Sequence, residues 1–255
     1  RGGLREGSRR PMSRPTRVSL FVTCIVDQLW PAIGVSTVAV LRGVGCDVRF
    51  DARQTCCGQP AFNTGYRDDA RALARRFIAI LEESDDDAIV SPSGSCSAML
   101  KHYPELFDDA EWRTRAAAVA ARTHELSDFL VNRLGVEDVG ASFAGRVGWH
   151  DACHALRDLR LRAEPRRLLA HVRGLELVEL ANADGCCGFG GTFSVKQPQI
   201  SVAIADDKID AIERAAVDAV ASADASCLMQ LGGRLSRRGS PVRALHLAEL
   251  LAARA

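Results

Sequence analysis

Seven short, largely apolar runs punctuate the chain: Val18–Thr23, Val48–Phe50, Ala88–Ser91, Val147–His150, Leu175–Leu180, Ala216–Ala221 and Val242–Leu245. Runs of this length predict buried strands of parallel sheet rather than one-sided surface strands. Between them the apolar positions recur at three- and four-residue spacing. That spacing predicts helices over Ile33–Arg42, Asp68–Glu83, Glu111–Leu134, Pro165–Val172, Ile200–Arg214 and Leu228–Arg238, with a last one over His246–Ala253. Strands alternating with helices indicate the α/β class with parallel sheets.

The cysteines divide this pattern in two. Cys24, Cys56, Cys57 and Cys96 are followed at offsets of 129, 130, 130 and 131 residues by Cys153, Cys186, Cys187 and Cys227. Local text repeats as well: Cys57-Gly58 matches Cys187-Gly188, and Ser91-Pro-Ser-Gly-Ser-Cys96 matches Ser222-Ala-Asp-Ala-Ser-Cys227. One ancestral unit copied in tandem explains both, with single-residue loop changes since. The expected organisation is a first unit at 17–139 and a second at 140–255, joined near Gly135–Gly145. A disordered leader is expected at 1–16, with Met12 a candidate start. Cys46 has no counterpart and reads as an ordinary small apolar core residue.

The repeat predicts where the sulfurs go. Each cysteine position follows a predicted strand, and loops after parallel strands all emerge at the carboxyl edge of the sheet, where open α/β sheets place their sites. Cys24, Cys56, Cys57 and Cys96 are therefore expected to converge on one site, and Cys153, Cys186, Cys187 and Cys227 on a second. Four thiolates suit a [4Fe–4S] cluster, and they also suit a structural zinc. Three separate loops, one of them carrying adjacent cysteines, favour the larger cofactor, because neighbouring thiolates can bind different irons. Gly58, Gly188, Gly190 and Gly191 would let backbone approach it and offer N–H donors. Two other chemistries stay open: a zinc-stabilised scaffold in one or both halves, and a dithiol enzyme working through Cys56-Cys57 or Cys186-Cys187.

Composition narrows the setting. At 255 residues with 47% apolar content the chain can build a core without disulfide staples, so nine cysteines point to metal or redox chemistry in a reducing cytoplasm. A net charge of +1 argues against general binding to nucleic acid or anionic membrane. No apolar run approaches the ~20 residues of a spanning helix. Arg1, Arg5, Arg9 and Arg10 precede an apolar stretch that stops at Asp27, which is a strand rather than a signal peptide.

The arrangement Cys-x31-Cys-Cys-Gly-x37-Cys, repeated with single-residue length changes, resembles the cysteine-rich CCG domain. That domain occurs in heterodisulfide reductase and in the iron–sulfur subunits of glycolate oxidase and anaerobic glycerol-3-phosphate dehydrogenase. Finer text is similar to one branch, the lactate-utilisation protein A family. It comprises Gln54-Thr-Cys-Cys-Gly-Gln-Pro-Ala-Phe-Asn63, Pro92-Ser-Gly-Ser-Cys96, His102-Tyr-Pro-Glu-Leu-Phe107, His150-Asp-Ala-Cys-His154, Cys186-Cys-Gly-Phe-Gly-Gly-Thr-Phe-Ser-Val-Lys196 and Cys227-Leu-Met. The blocks lie between about Val18 and Leu251. The resemblance implies an iron–sulfur electron-transfer component of a complex oxidising L-lactate to pyruvate, acting beside a ferredoxin-like iron–sulfur subunit and a third small subunit. The absence of a G-x-G-x-x-G nucleotide fingerprint agrees with an electron relay. The wider family often ends each motif in Cys-x-x-Cys, whereas here Met99 and Gln230 stand at those places, which puts a five-thiolate cluster in doubt.

The remaining candidates have ordinary readings beside functional ones. His150 and His154 flank Cys153 as ligands, proton carriers or plain hydrogen-bond donors. Lys196 follows the second glycine loop, either holding an anion or simply exposed. Arg157, Arg160, Arg162, Arg166 and Arg167 form a basic segment that would dock an acidic partner or face solvent. Glu82-Glu83-Ser84-Asp85-Asp86-Asp87 reads as a solvated turn, and His102 and His124 lie in helical segments without further context.

Overall fold

A computed structural model describes residues 15–254. The first repeat runs β1 (Arg17–Leu20), α1 (Cys24–Leu29), α2 (Pro31–Gly43), β2 (Asp47–Arg49), α3 (Gln59–Asn63), α4 (Arg67–Glu82), β3 (Ala88–Ser91), α5 (Gly94–His102), α6 (Ala110–Arg122), β4 (Thr123–Glu125) and α7 (Leu126–Asp128). The second runs β5 (Ser142–Trp149), α8 (Cys153–Arg157), α9 (Ala163–Ala170), β6 (Arg173–Glu179), α10 (Phe193–Lys196), α11 (Pro198–Arg214), β7 (Ala219–Ser222), α12 (Ala225–Arg237), β8 (Arg243–His246) and α13 (Leu247–Ala252). Each repeat forms a four-stranded parallel sheet, ordered β2-β1-β3-β4 and β6-β5-β7-β8. The fold is thus two tandem α/β repeats with helix-flanked parallel sheets, as the alternating pattern predicts. The first copy alone carries α6.

Local sequence explains the elements. The strands β3 and β7 are buried throughout, which is why they read as apolar runs. On α4 the buried positions Ala70, Ala74, Phe77, Ile78 and Leu81 trace one helical stripe, and α11 repeats it with Ser201, Ala205, Lys208, Ile209 and Ile212. Pro31 and Pro198 open α2 and α11, where a missing N–H breaks no intrahelical bond.

Three expectations need correction. The helix expected over Glu111–Leu134 is broken: α6 stops at Arg122 and Thr123–Glu125 pairs with β3 as an edge strand. The buried Glu125 side chain then caps α7 by accepting from the Ser127 and Asp128 amides, and the chain continues through a π turn at Phe129–Arg133. A three-residue strand fits inside one helical period, so the spacing of apolar positions does not register it. Second, the expected joint at Gly135–Gly145 is shorter, because β5 already starts at Ser142 and Gly145 lies at a register shift against β6. Third, β7 starts at Ala219 rather than Ala216, which has φ +48. The expected leader, 1–16, falls outside the described residues except for Pro15 and Thr16, whose carbonyl accepts from the Asp47 amide at 3.0 Å.

The two sheets share a core. Val18, Leu20, Ile33 and Leu41 lie in one buried cluster with Trp149, Leu168, Leu247 and Leu251. The helix contacts that join the halves come in related pairs: α2 on α13 with α7 on α9, and α5 on α8 with α1 on α12. The α5–α8 contact depends on Gly94, where a Cβ would fall 2.6 Å from Ala155 Cβ. Among the described residues no helix is long and apolar enough to cross a membrane.

Candidate metal centre

The order β2-β1-β3-β4 reverses direction between β1 and β3, and the crevice at the carboxyl ends of those strands is where such sheets bind ligands. Cys24 opens α1 directly after β1, and Cys96 sits in the first turn of α5 after β3. Cys153 and Cys227 take the same places on α8 and α12. The first turn of a helix has unpaired N–H groups and the positive end of its dipole, both of which favour thiolate. Three of these turns are capped: Thr23 Oγ1 accepts from the Val26 amide at 3.4 Å, Ser93 Oγ from the Cys96 amide at 3.2 Å, and Asp224 Oδ1 from the Ser226 amide at 3.1 Å.

The adjacent cysteines are held by their glycines. Gly58 and Gly188 have φ of +87 and +86, and their amides point at Cys56 Sγ (3.4 Å) and Cys186 Sγ (3.3 Å). Of the four glycines expected to offer N–H donors, Gly58 and Gly188 thus direct theirs at cysteine sulfurs, while Gly190 and Gly191 line the cavity. A Cβ at Gly188 would also lie 2.4 Å from the Ser201 carbonyl oxygen.

Sulfurs meet within each half: Cys57 and Cys96 at 3.5 Å, Cys187 and Cys227 at 3.1 Å. Four thiols at this spacing cannot all ionise without a cation to share. Cys56 is held well below the ordinary thiol range by hydrogen bonds from Cys24 and then Cys57. Its donors move the other way: Cys24 is raised by that bond and by burial, and Cys57 by its bonds to Cys56 and Cys96 and by burial. In the second half donation to Cys187, followed by burial, raises Cys186.

The sequence predicts two separate convergences, but the structure opens both quartets onto one cavity. All eight cysteines line it, and it lies between the halves with a volume of about 130 Å³. On the same measure this is room for roughly ten waters. Gln59, Asn63, Ser93, Ser95, His154 and Asp224 contribute polar groups, and no Lys or Arg is among the lining residues. Asp224 is 2% exposed and ties the halves together: besides capping α12, its Oδ2 accepts from the Ser95 amide at 2.8 Å and Ser93 Oγ at 3.3 Å.

The other candidates separate cleanly. His154 lines the cavity, with Nδ1 2.5 Å from Asp158 Oδ2. Lys196 is exposed at the end of α10 and does not line the cavity. Cys46 belongs to the shared core, where burial pushes its thiol up to about 11. In the basic segment, Arg166 grips Asp151 with two nitrogens (2.8 and 2.9 Å) and pairs with Glu179, and Arg167 pairs with Glu137, so these two are occupied within the fold.

His150 is 1% exposed and neither ring nitrogen makes a hydrogen bond. A ring nitrogen and the sulfurs of Cys187 and Cys227 lie within 4.8 Å of one another. Burial, then the Lys208 ammonium, lowers the imidazole to about 3, so it is neutral near pH 7. Lys208 itself is 0% exposed, with Nζ donating to the carbonyls of Asn182 and Ala183. Sequence reasoning missed Lys208 and Asp224. Laying one repeat over the other exposes both, since they stand where the first repeat has Phe77 and Ser93.

Comparison with known proteins agrees with this geometry. A model of the CCG cysteine-rich domain matches residues 18–101 and again 147–232, one match per repeat. A lactate utilization protein A from Geobacillus thermodenitrificans is 51% identical over 92% of this chain and 98% of its own. The chain belongs to the lactate utilization protein A family. Further members lie at similar distance: the protein of that name from an Exiguobacterium species is 49% identical, covering 92% and 96% of the two chains, and that from Bacillus subtilis is 47% identical, covering 93% and 100%. As a member of this family the chain spans nearly the whole length of its relatives.

Proposed function

We propose that this chain is the iron–sulfur electron carrier of a cytoplasmic system that oxidises L-lactate to pyruvate. On this reading Cys24, Cys56, Cys57 and Cys96 hold one cluster and Cys153, Cys186, Cys187 and Cys227 a second. The carrying observation is the cavity: eight thiols from two repeats face it, and no Lys or Arg lines it. Thiols at helix N-termini, with glycine amides directed at sulfur, suit a thiophilic metal centre. A carboxylate substrate is usually clamped by Arg or Lys, and this cavity offers none, which supports electron transfer here and lactate chemistry elsewhere. The name carried by the relatives supports lactate as the fuel. A ferredoxin-like iron–sulfur subunit and a third small subunit are the proposed partners.

A bound cluster would supply a one-electron store; the chain's own residues position it. Helix first turns aim Cys24, Cys96, Cys153 and Cys227 at the cavity, and the glycine loops bring in the adjacent pairs. Because both quartets line one cavity, the two centres of this reading would be neighbours, which supports exchange of electrons between them.

The test is iron and acid-labile sulfide content on protein purified without oxygen, with an absorption spectrum before and after reduction. The expected result is about four irons and four sulfides per half, with a band that bleaches on reduction. Zinc without sulfide, persisting after attempted reconstitution, would replace this reading with a structural scaffold. Metal-free disulfide chemistry abolished by alkylation would replace it with a dithiol enzyme.

A further inference from the structure

The two halves differ beneath their cysteines in one concerted way. Under Cys57 and Cys96, Phe21 and Phe77 meet edge to face, with ring centroids 4.5 Å apart, in an apolar cluster that includes Tyr103. Following the repeat, positions 21 and 77 correspond to 150 and 208. The correspondence is fixed locally, because β5 enters the Cys153 turn as β1 enters the Cys24 turn. The buried stripe of α11 also repeats that of α4, residue for residue. An aromatic pair under the first quartet is therefore an imidazole and an ammonium under the second.

Burying two polar groups where two phenyl rings would fit is unfavourable unless each finds partners. Lys208 finds them in the Asn182 and Ala183 carbonyls, just ahead of the Cys186-Cys187 loop. His150 does not. The Ala183 carbonyl beside its ring already takes the Asp151 amide at 3.0 Å and Lys208 Nζ at 3.2 Å. Buried polar groups without partners are rare and call for an explanation such as an ion. The sulfurs of Cys187 and Cys227 stand at ligand-to-ligand spacing from the ring.

We infer that His150 is a nitrogen ligand of the second half's metal centre, beside Cys187 and Cys227. The second centre then has a mixed sulfur–nitrogen shell, with His150 taking the place of one of its four thiolates, and the first an all-sulfur one. The inference rests on the reading that these cysteines bind metal and adds the claim that the two centres are unlike.

The test is X-ray absorption at the edge of whichever metal the protein binds, on a chain whose first centre is removed by Cys56→Ser and Cys57→Ser. The remaining centre is expected to show sulfur at about 2.3 Å and one lighter donor at about 2.0–2.1 Å. His150→Phe, which restores the first half's residue, should remove the lighter donor; His154→Asn should keep it. Should His150→Phe not fold, otherwise wild-type protein labelled with 15N-histidine and loaded with cobalt(II) gives the same answer through nitrogen hyperfine coupling. Bound metal with an all-sulfur shell, or no histidine coupling, overturns the inference and leaves the metal reading standing. A chain that binds no metal in any preparation overturns both.

Discussion

Asp224 offers the sharpest quantitative test of how the halves are joined. Its carboxylate serves two helices at once: Oδ1 accepts from the Ser226 amide at 3.1 Å and Ser226 Oγ at 2.5 Å, while Oδ2 accepts from the Ser95 amide at 2.8 Å and Ser93 Oγ at 3.3 Å. Asp224→Ala removes the cap of α12, at about 0.5–2 kcal/mol. It also strips the Ser95 amide of its acceptor, adding about 1–3 kcal/mol. The expected loss is about 1.5–5 kcal/mol, a large share of a typical domain stability of about 5–15 kcal/mol. Asp224→Asn separates the two effects. Asparagine caps helices as well as aspartate does, but it has one acceptor oxygen. If that oxygen serves α12, its NH2 faces the Ser95 N–H, so the isosteric change should still lose about 1–2 kcal/mol. Urea unfolding of thiol-reduced, metal-free protein, followed by its three tryptophans, measures both. An Asp224→Asn chain within about 0.5 kcal/mol of wild type, the range of an ordinary surface change, would refute the two-helix role.

Other substitutions test separate parts of the structure. Gly188→Ala should destabilise far more than Gly45→Ala: both have positive φ, but a Cβ at Gly188 lies 2.4 Å from the Ser201 carbonyl and one at Gly45 meets nothing within 4 Å. Unfolding midpoints should put Gly45→Ala near the roughly 1–2 kcal/mol of backbone strain alone and Gly188→Ala beyond it, and equal losses would contradict the steric argument. Burial pushes the Glu125 carboxyl up from 4.5 to about 7, so folding favours its protonated form. That stability is fully present below pH 4.5 and is lost as pH rises through about 7; Glu125→Gln should therefore gain on wild type between pH 5 and pH 8, by up to about 3 kcal/mol, and parallel pH profiles would show the shift is absent. Cys46→Ser should leave metal content unchanged because Cys46 sits in the shared core, whereas Cys187→Ser should abolish the second centre and spare the first; metal analysis of both variants checks this.

Much of this molecule is legible in its sequence for identifiable reasons. Buried parallel strands such as Ala88–Ser91 are apolar runs, and a tandem copy marks its own equivalent positions, so the fold class and the eight converging cysteines follow. What escaped depends on distance or on exceptions to pattern. The strand Thr123–Glu125 is shorter than a helical turn. The single shared cavity arises from how two units pack, which no local spacing encodes. Lys208 lies on a stripe otherwise made of Ser201, Ala205, Ile209 and Ile212, and a lysine there reads as exposed until Phe77 is placed beside it. Asp224 reads as a routine helix cap, and its second role belongs to α5 of the other half.

The paired contacts of α2 on α13 with α7 on α9, and of α5 on α8 with α1 on α12, have the form of a twofold interface between like objects. In a dimer of identical chains every substitution is made twice, so both seats beside the axis must carry the same residues. Covalent fusion lifts that constraint. Phe21 and Phe77 persist on one side while His150 and Lys208 stand on the other, and Ser93 faces Asp224 across the axis. The surroundings of the two quartets thereby differ: an aromatic pair is buried with one and an imidazole and an ammonium with the other, a polarity that a symmetric pair of chains cannot have.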